Sequence, residues 1–112
     1  MKKFILTLDL KDDQELIKEY IEWHAKVWPE VIESIKSAGI ENMEIYRLSN
    51  RLFMIMEVNA LFSFENKAKA DEANLKVQEW EKLMWKFQQA LPFAKEGEKW
   101  ILMDKIFDLN NL

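Results

Sequence analysis

The sequence predicts an α+β domain with the element order β-α-β-β-α-β. Three features of the chain point to it. The opening residues alternate apolar and polar, two later segments carry apolar residues at three-and-four spacing, and two apolar stretches flank a hairpin-length turn. With 112 residues, 49% of them hydrophobic, and only two Gly and two Pro, the chain is long and apolar enough for one cored domain over 1–112. The same figures exclude a disordered tail, a collagen-like repeat and a low-complexity linker.

Lys3–Leu10 sets Phe4, Leu6, Leu8 and Leu10 on one face, with Thr7 and Asp9 on the other, as a half-buried strand does. Asp12 or Asp13 then supplies an N-cap. From Leu16 the spacing turns helical through Ile17, Tyr20, Ile21, His24, Val27, Trp28, Val31, Ile32 and Ile35. Pro29 lies inside this run and fits the first position of a second helix, so a break falls near Val27–Trp28. Gly39 reads as the helix stop. Met43–Leu48 and Leu52–Val58 are strands joined by Ser49-Asn50-Arg51. Phe62–Ala73 is a weak helix. Val77–Leu91 is a strong one, with Val77, Trp80, Leu83, Met84, Phe87 and Leu91 in phase and Pro92 beyond it. Lys95–Lys99 is a charged loop around Gly97, and Trp100–Leu109 is the last strand. This order is the ferredoxin-like split βαβ arrangement.

A four-stranded sheet with both helices on one face should be polar on the other. Leu52-Phe53-Met54-Ile55-Met56 and Trp100-Ile101-Leu102-Met103 are apolar on both faces. The natural cover is a second copy of the chain, packed sheet to sheet as a dimeric α+β barrel, so a homodimer is expected.

Composition narrows the chemistry further. There is no Cys, hence no disulfide, thiolate metal site or cysteine nucleophile. One His cannot build a usual zinc site, so no metal is expected. A net charge of −4 has the wrong sign for a phosphate-backbone binder, so no nucleic acid is expected. The first residues look briefly like a signal peptide, but Asp9 and Lys11-Asp12-Asp13 cut the apolar run short. No run approaches the roughly 20 apolar residues of a membrane span. These features together predict a cytoplasmic protein with no membrane partner.

One cluster combines polar and aromatic character. Tyr20 and His24 stand one helical turn apart on a face that is otherwise apolar. By spacing alone, His24 is either a satisfied core histidine or a residue aimed into a pocket. Five tryptophans, Trp23, Trp28, Trp80, Trp85 and Trp100, serve either as core or as walls for sugar rings, whose C–H faces are apolar. Glu57 and Glu81 interrupt apolar runs. In a pocket, such carboxylates accept hydroxyl hydrogen bonds.

The segment Tyr20-Ile21-Glu22-Trp23-His24-Ala25-Lys26-Val27-Trp28-Pro29-Glu30 resembles the Y-x-x-x-H-x-x-x-W-P-E signature of the L-rhamnose mutarotase family. Asn42-Met43-Glu44-Ile45-Tyr46, Phe53-Met54-Ile55-Met56-Glu57, Gln78-Glu79-Trp80-Glu81 and Lys99-Trp100-Ile101-Leu102-Met103 follow in family order and are more similar to the members associated with L-fucose. The resemblance implies a cofactor-free dimer that interconverts the α and β anomers of a 6-deoxy-L-hexose. It implies that Tyr20 and Trp80 contact the sugar and that His24 donates the proton. Two substrate-binding positions depart from the rhamnose pattern: Met43 stands where a tyrosine is usual, and Glu81 replaces the second of two adjacent tryptophans. Both changes alter hydrogen bonding to hydroxyls and point to L-fucose rather than L-rhamnose.

Anomerisation opens the hemiacetal, so one oxygen loses a proton while another gains one, and His suits that task near neutral pH. Tyr20, Glu57, Glu81 or a water are candidates for the second proton-handling group. Two other classes compete. Dimeric α+β barrels also host cofactor-free and haem-dependent monooxygenases, and in the haem-dependent ones His24 would be an iron ligand. A non-catalytic sugar-sensing module would bind without accelerating exchange.

Overall fold

The period-two apolar stripe of the opening residues becomes the central strand of an antiparallel sheet. The computed structural model describes residues 1–112. Strand β1 (Lys2–Leu10) pairs with β3 (Arg51–Val58) in a register running from Lys2↔Val58 to Asp9↔Arg51. Strand β2 (Ile40–Leu48) pairs with the outer edge of β3. The other edge of β1 is shared by two short strands, β4 (Gln88–Gln89) at Asp9 and Leu10, and β5 (Ile101–Leu102) at Leu6 and Thr7. The sheet order is β2-β3-β1-β4, with β5 also on β1, which is the ferredoxin-like arrangement.

Four helices connect the strands: α1 (Gln14–His24), α2 (Pro29–Ser37), α3 (Phe64–Glu72) and α4 (Leu75–Met84). Each starts where the chemistry allows. Asp13 caps α1, its Oδ1 accepting from the backbone N–H groups of Glu15 and Leu16 at 3.0 and 3.1 Å. Pro29 opens α2, where its missing N–H has no intrahelical partner to lose. Asn74 caps α4 through the N–H groups of Lys76 and Val77. Gly39 ends the α1–α2 region at φ +94°, and a side chain there would stand 2.5 Å from Asn59 Oδ1.

Tyr20 of α1, Val31 of α2 and Val77, Trp80 and Met84 of α4 are buried over one face of the sheet, whereas α3 buries no residue. Leu6, Leu8 and Leu10 of β1 and Leu52, Met54, Met56 and Val58 of β3 supply that face. Leu8 and Phe87 are wholly removed from solvent, and a fully buried side chain of this kind contributes about 1.5–3 kcal/mol. The opposite parity, Ile5, Thr7, Phe53 and Ile55, forms the second face and is half-buried. Met54 and Met56 therefore point at the helices, and Phe53 and Ile55 lie on the opposite face.

Several expected boundaries differ. The strong helix stops at Met84, not Leu91, because the backbone turns to serve the free edge of β1: Lys11 N–H donates to the Phe87 carbonyl at 2.8 Å, and Gln88–Gln89 joins the sheet. Phe87 and Leu91 remain buried by either path. The last strand is Ile101–Leu102, not Trp100–Leu109; after Met103 N–H donates to the Ile5 carbonyl, the chain leaves the sheet and ends in a 3-10 turn at Leu109–Asn111. Strand β2 begins at Ile40 rather than Met43, with an irregularity between Ile40 and Asn42. The hairpin loop is tighter than expected, since Leu48 and Arg51 already pair and Ser49 takes a positive φ of 54°.

Candidate active site

A cavity of about 710 Å³ opens between the helix layer and the sheet. Its walls are mostly apolar, with a few polar groups converging on it, the usual make-up of a small-molecule site. Tyr20, His24, Met43, Trp80 and Glu81, the five residues singled out from the sequence, all line it. A separate groove between α2 and α3 has mainly polar walls and contains none of them.

His24 is the last residue of α1 and sits one turn beyond Tyr20. Its Nδ1 lies 2.8 Å from the Tyr20 carbonyl oxygen. A carbonyl can only accept, so Nδ1 carries the hydrogen and the neutral ring presents a bare Nε2. Burial pushes His24 below its usual value of 6.5, and the bond to the Tyr20 carbonyl opposes that in part. The ring is thus neutral at pH 7 and able to accept a proton.

The Tyr20 and His24 rings stand 4.3 Å apart, tilted by 38°. Tyr20 is buried, which pushes its phenol up to about 12, while a hydrogen bond from the Gln88 side chain pulls the other way. Its proton therefore stays in place at neutral pH. Trp80, on the inward face of α4, is the hub of an aromatic cluster: Trp23, His24 and Trp28 meet it edge-on at 6.2, 5.7 and 5.2 Å. Such packing fixes the indole and leaves little rotamer freedom to be lost on binding.

Glu81 is half-buried beside Trp80, and Gln78 Nε2 donates to its Oε2 at 3.4 Å. Met43 stands on the helix-facing side of β2, opposite Met56. Two polar groups that the sequence did not mark also line the cavity. Lys99 Nζ donates to the Glu81 carbonyl at 3.2 Å and lies 4.8 Å above the Trp85 ring; burial lowers its pKa, with the Glu81 charge opposing. Gln88 is 5% exposed, and its Nε2 lies 3.3 Å from the Tyr20 hydroxyl. Gln88 was hidden by its setting, because a glutamine in an apolar helical run reads as a solvent position. Glu57, by contrast, is not in the cavity. It shares a parity with Phe53 and Ile55 on the second face, where Asn42 Nδ2 donates to it at 3.4 Å.

The arrangement can hold a ring of apolar faces and hydroxyl edges against Trp80 and exchange a proton with it through His24 Nε2. The L-rhamnose mutarotase family model matches residues 3–109. An L-fucose mutarotase of Xanthomonas campestris pv. campestris is 44% identical over 112 residues, covering 98% of this chain and 90% of the relative. Among solved structures, an L-rhamnose mutarotase from Formosa agariphila superimposes with a TM-score of 0.71 at 21% identity, covering 97% and 99% of the two chains. A dimeric ferredoxin-like protein from an uncultured marine organism superimposes with a TM-score of 0.52 at 13% identity, covering 95% and 90%. The match over residues 3–109 and the 44% identity with a curated relative fix the assignment: the chain belongs to the L-rhamnose mutarotase family, isomerases that act on carbohydrates.

Proposed function

We propose that residues 1–112 act as one domain and as an L-fucose mutarotase, working as a homodimer in the cytoplasm, with His24 as the proton-transfer group. The observation that carries this reading is the fixed tautomer of His24. Its Nδ1–H is held by the Tyr20 carbonyl at 2.8 Å, which leaves Nε2 bare inside the cavity beside Trp80. Nε2 takes the proton of the anomeric hydroxyl as the ring opens. After rotation about C1–C2 it returns the proton to the same oxygen as the ring closes on the other aldehyde face. Tyr20, Trp80, Met43 and Glu81 bind the sugar.

Two features favour L-fucose over L-rhamnose. Glu81 offers a carboxylate where an indole would leave hydroxyls unpaired, and the two sugars differ in hydroxyl stereochemistry at C2 and C4. The relative at 44% identity is an L-fucose mutarotase. The homodimer reading draws on the second sheet face and on the chain end, where Ile106, Phe107 and Leu109 are 95%, 67% and 70% exposed. NMR saturation transfer between anomeric protons, run with L-fucose, L-rhamnose and D-galactose, tests the activity. Fastest catalysed exchange with L-fucose supports the reading, and exchange at the buffer rate for all three sugars overturns it.

A further inference from the structure

Gln88 is a buried amide whose place in the fold is not explained by packing. It extends from β4 into the cavity, is 5% exposed, and uses only one of its polar contacts, Nε2 to the Tyr20 hydroxyl at 3.3 Å. Its Oε1 is buried with no hydrogen-bond partner, the one side-chain atom in the molecule in that condition. A methionine or leucine would fill the same space without desolvating an amide, so an amide here points to function.

The direction of the bond matters. With Nε2 on Tyr20, the carbonyl oxygen and one of the two N–H groups are left without a partner; with the amide turned over, both N–H groups would be. Orphaned donors are the rarer case. Gln88 therefore donates to the phenol oxygen, and the phenol hydrogen is free for another acceptor. The Tyr20 carbonyl is already engaged by His24, and the two rings stand 4.3 Å apart in the same cavity.

We propose that Gln88 is a positioning residue that turns the Tyr20 hydroxyl hydrogen toward the bound sugar, making Tyr20 the second proton-handling group of the reaction. This rests on the mutarotase reading above. As the bond from C1 to the ring oxygen breaks, the anomeric hydroxyl gives its proton to His24 Nε2 and C1 becomes an aldehyde. The ring oxygen takes the Tyr20 proton, and Gln88 Nε2–H steadies the phenolate left behind. On closure the new hydroxyl returns its proton to Tyr20 as its oxygen attacks the other aldehyde face, and His24 protonates the former carbonyl oxygen. Both groups end as they began.

The test compares Gln88→Met and Gln88→Glu by saturation transfer with L-fucose and L-rhamnose, alongside thermal melting. Gln88→Met removes the donor, and kcat should fall about 10-fold or more at little change in KM. Gln88→Glu keeps the shape but replaces the donor with an acceptor, so Tyr20 donates to the carboxylate instead of the sugar. It should be slower than Gln88→Met above the carboxylate pKa and recover as pH falls and the carboxyl becomes a donor again. Equal rates in both variants and wild type, losses confined to KM, or losses that follow melting temperature would overturn the proposal. Absence of catalysed exchange in wild type would instead remove the mutarotase reading on which it stands.

Discussion

Tyr20 holds His24 twice, through its backbone carbonyl on Nδ1 at 2.8 Å and through its ring at 4.3 Å. The tautomer and the plane of the imidazole are thereby set by a residue one turn earlier on the same helix. His24→Asn removes the titrating group while keeping a polar side chain of similar size. Exchange should fall about 10²- to 10⁴-fold, toward the buffer rate, with a melting temperature near wild type. Near-normal exchange in this variant would take His24 out of the mechanism.

The pH profile follows from the direction of the His24 shift. Burial lowers its pKa from 6.5, so the neutral ring that accepts the first proton is the form present at pH 7. Activity should be level at neutral pH and fall only as the pH drops through the lowered pKa, on the acid side of 6.5. Stability should move the same way, because below 6.5 the unfolded chain binds a proton that the buried ring resists. An activity midpoint above 6.5 in the wild type would contradict the desolvated setting.

Much of this was readable in the residues. The alternation of Phe4, Leu6, Leu8 and Leu10, the Asp13 cap and the break before Pro29 each rest on local chemistry, and local chemistry is what a sequence records. The end of α4 was not readable, because Phe87 and Leu91 are inward whether the helix continues or the chain turns into β4. What decides between them is the unpaired edge of β1, more than 70 residues away in sequence. On β3 both parities are apolar, so which one meets the helices depends on pairing with Leu6 and Leu8. Glu57 was legible in part: its parity with Phe53 and Ile55 separates it from whichever face Met54 takes.

Specificity is testable at two positions. Glu81→Trp with Met43→Tyr restores the rhamnose-type residues on two walls of one cavity, one on α4 and one on β2. The ratio of kcat/KM for L-fucose to that for L-rhamnose should fall by about 10-fold or more, as expected when hydroxyl partners are exchanged for an indole edge and a phenol. An unchanged ratio would show that these side chains do not discriminate between the sugars.

The two parities of β3 separate assembly from folding. Met54 is 9% exposed against the helices, so Met54→Lys buries an unpaired ion in the core and should unfold the chain. Ile55 lies on the second face, paired with Ile5 on one side and Glu44 on the other. Ile55→Lys should leave the monomer folded, since in a single copy the ammonium can reach water. In a sheet-to-sheet dimer the same charge faces apolar Phe53, Ile5 and their copies, and dimer affinity should weaken at least about 100-fold, roughly 2.8 kcal/mol. Sedimentation of wild type and Ile55→Lys at micromolar concentration measures this directly. A wild type that sediments as a monomer would overturn the homodimer, whereas an Ile55→Lys variant that dimerises as tightly as wild type would show that this face is not the interface and would make the exposed Ile106–Leu109 segment the surface to test next.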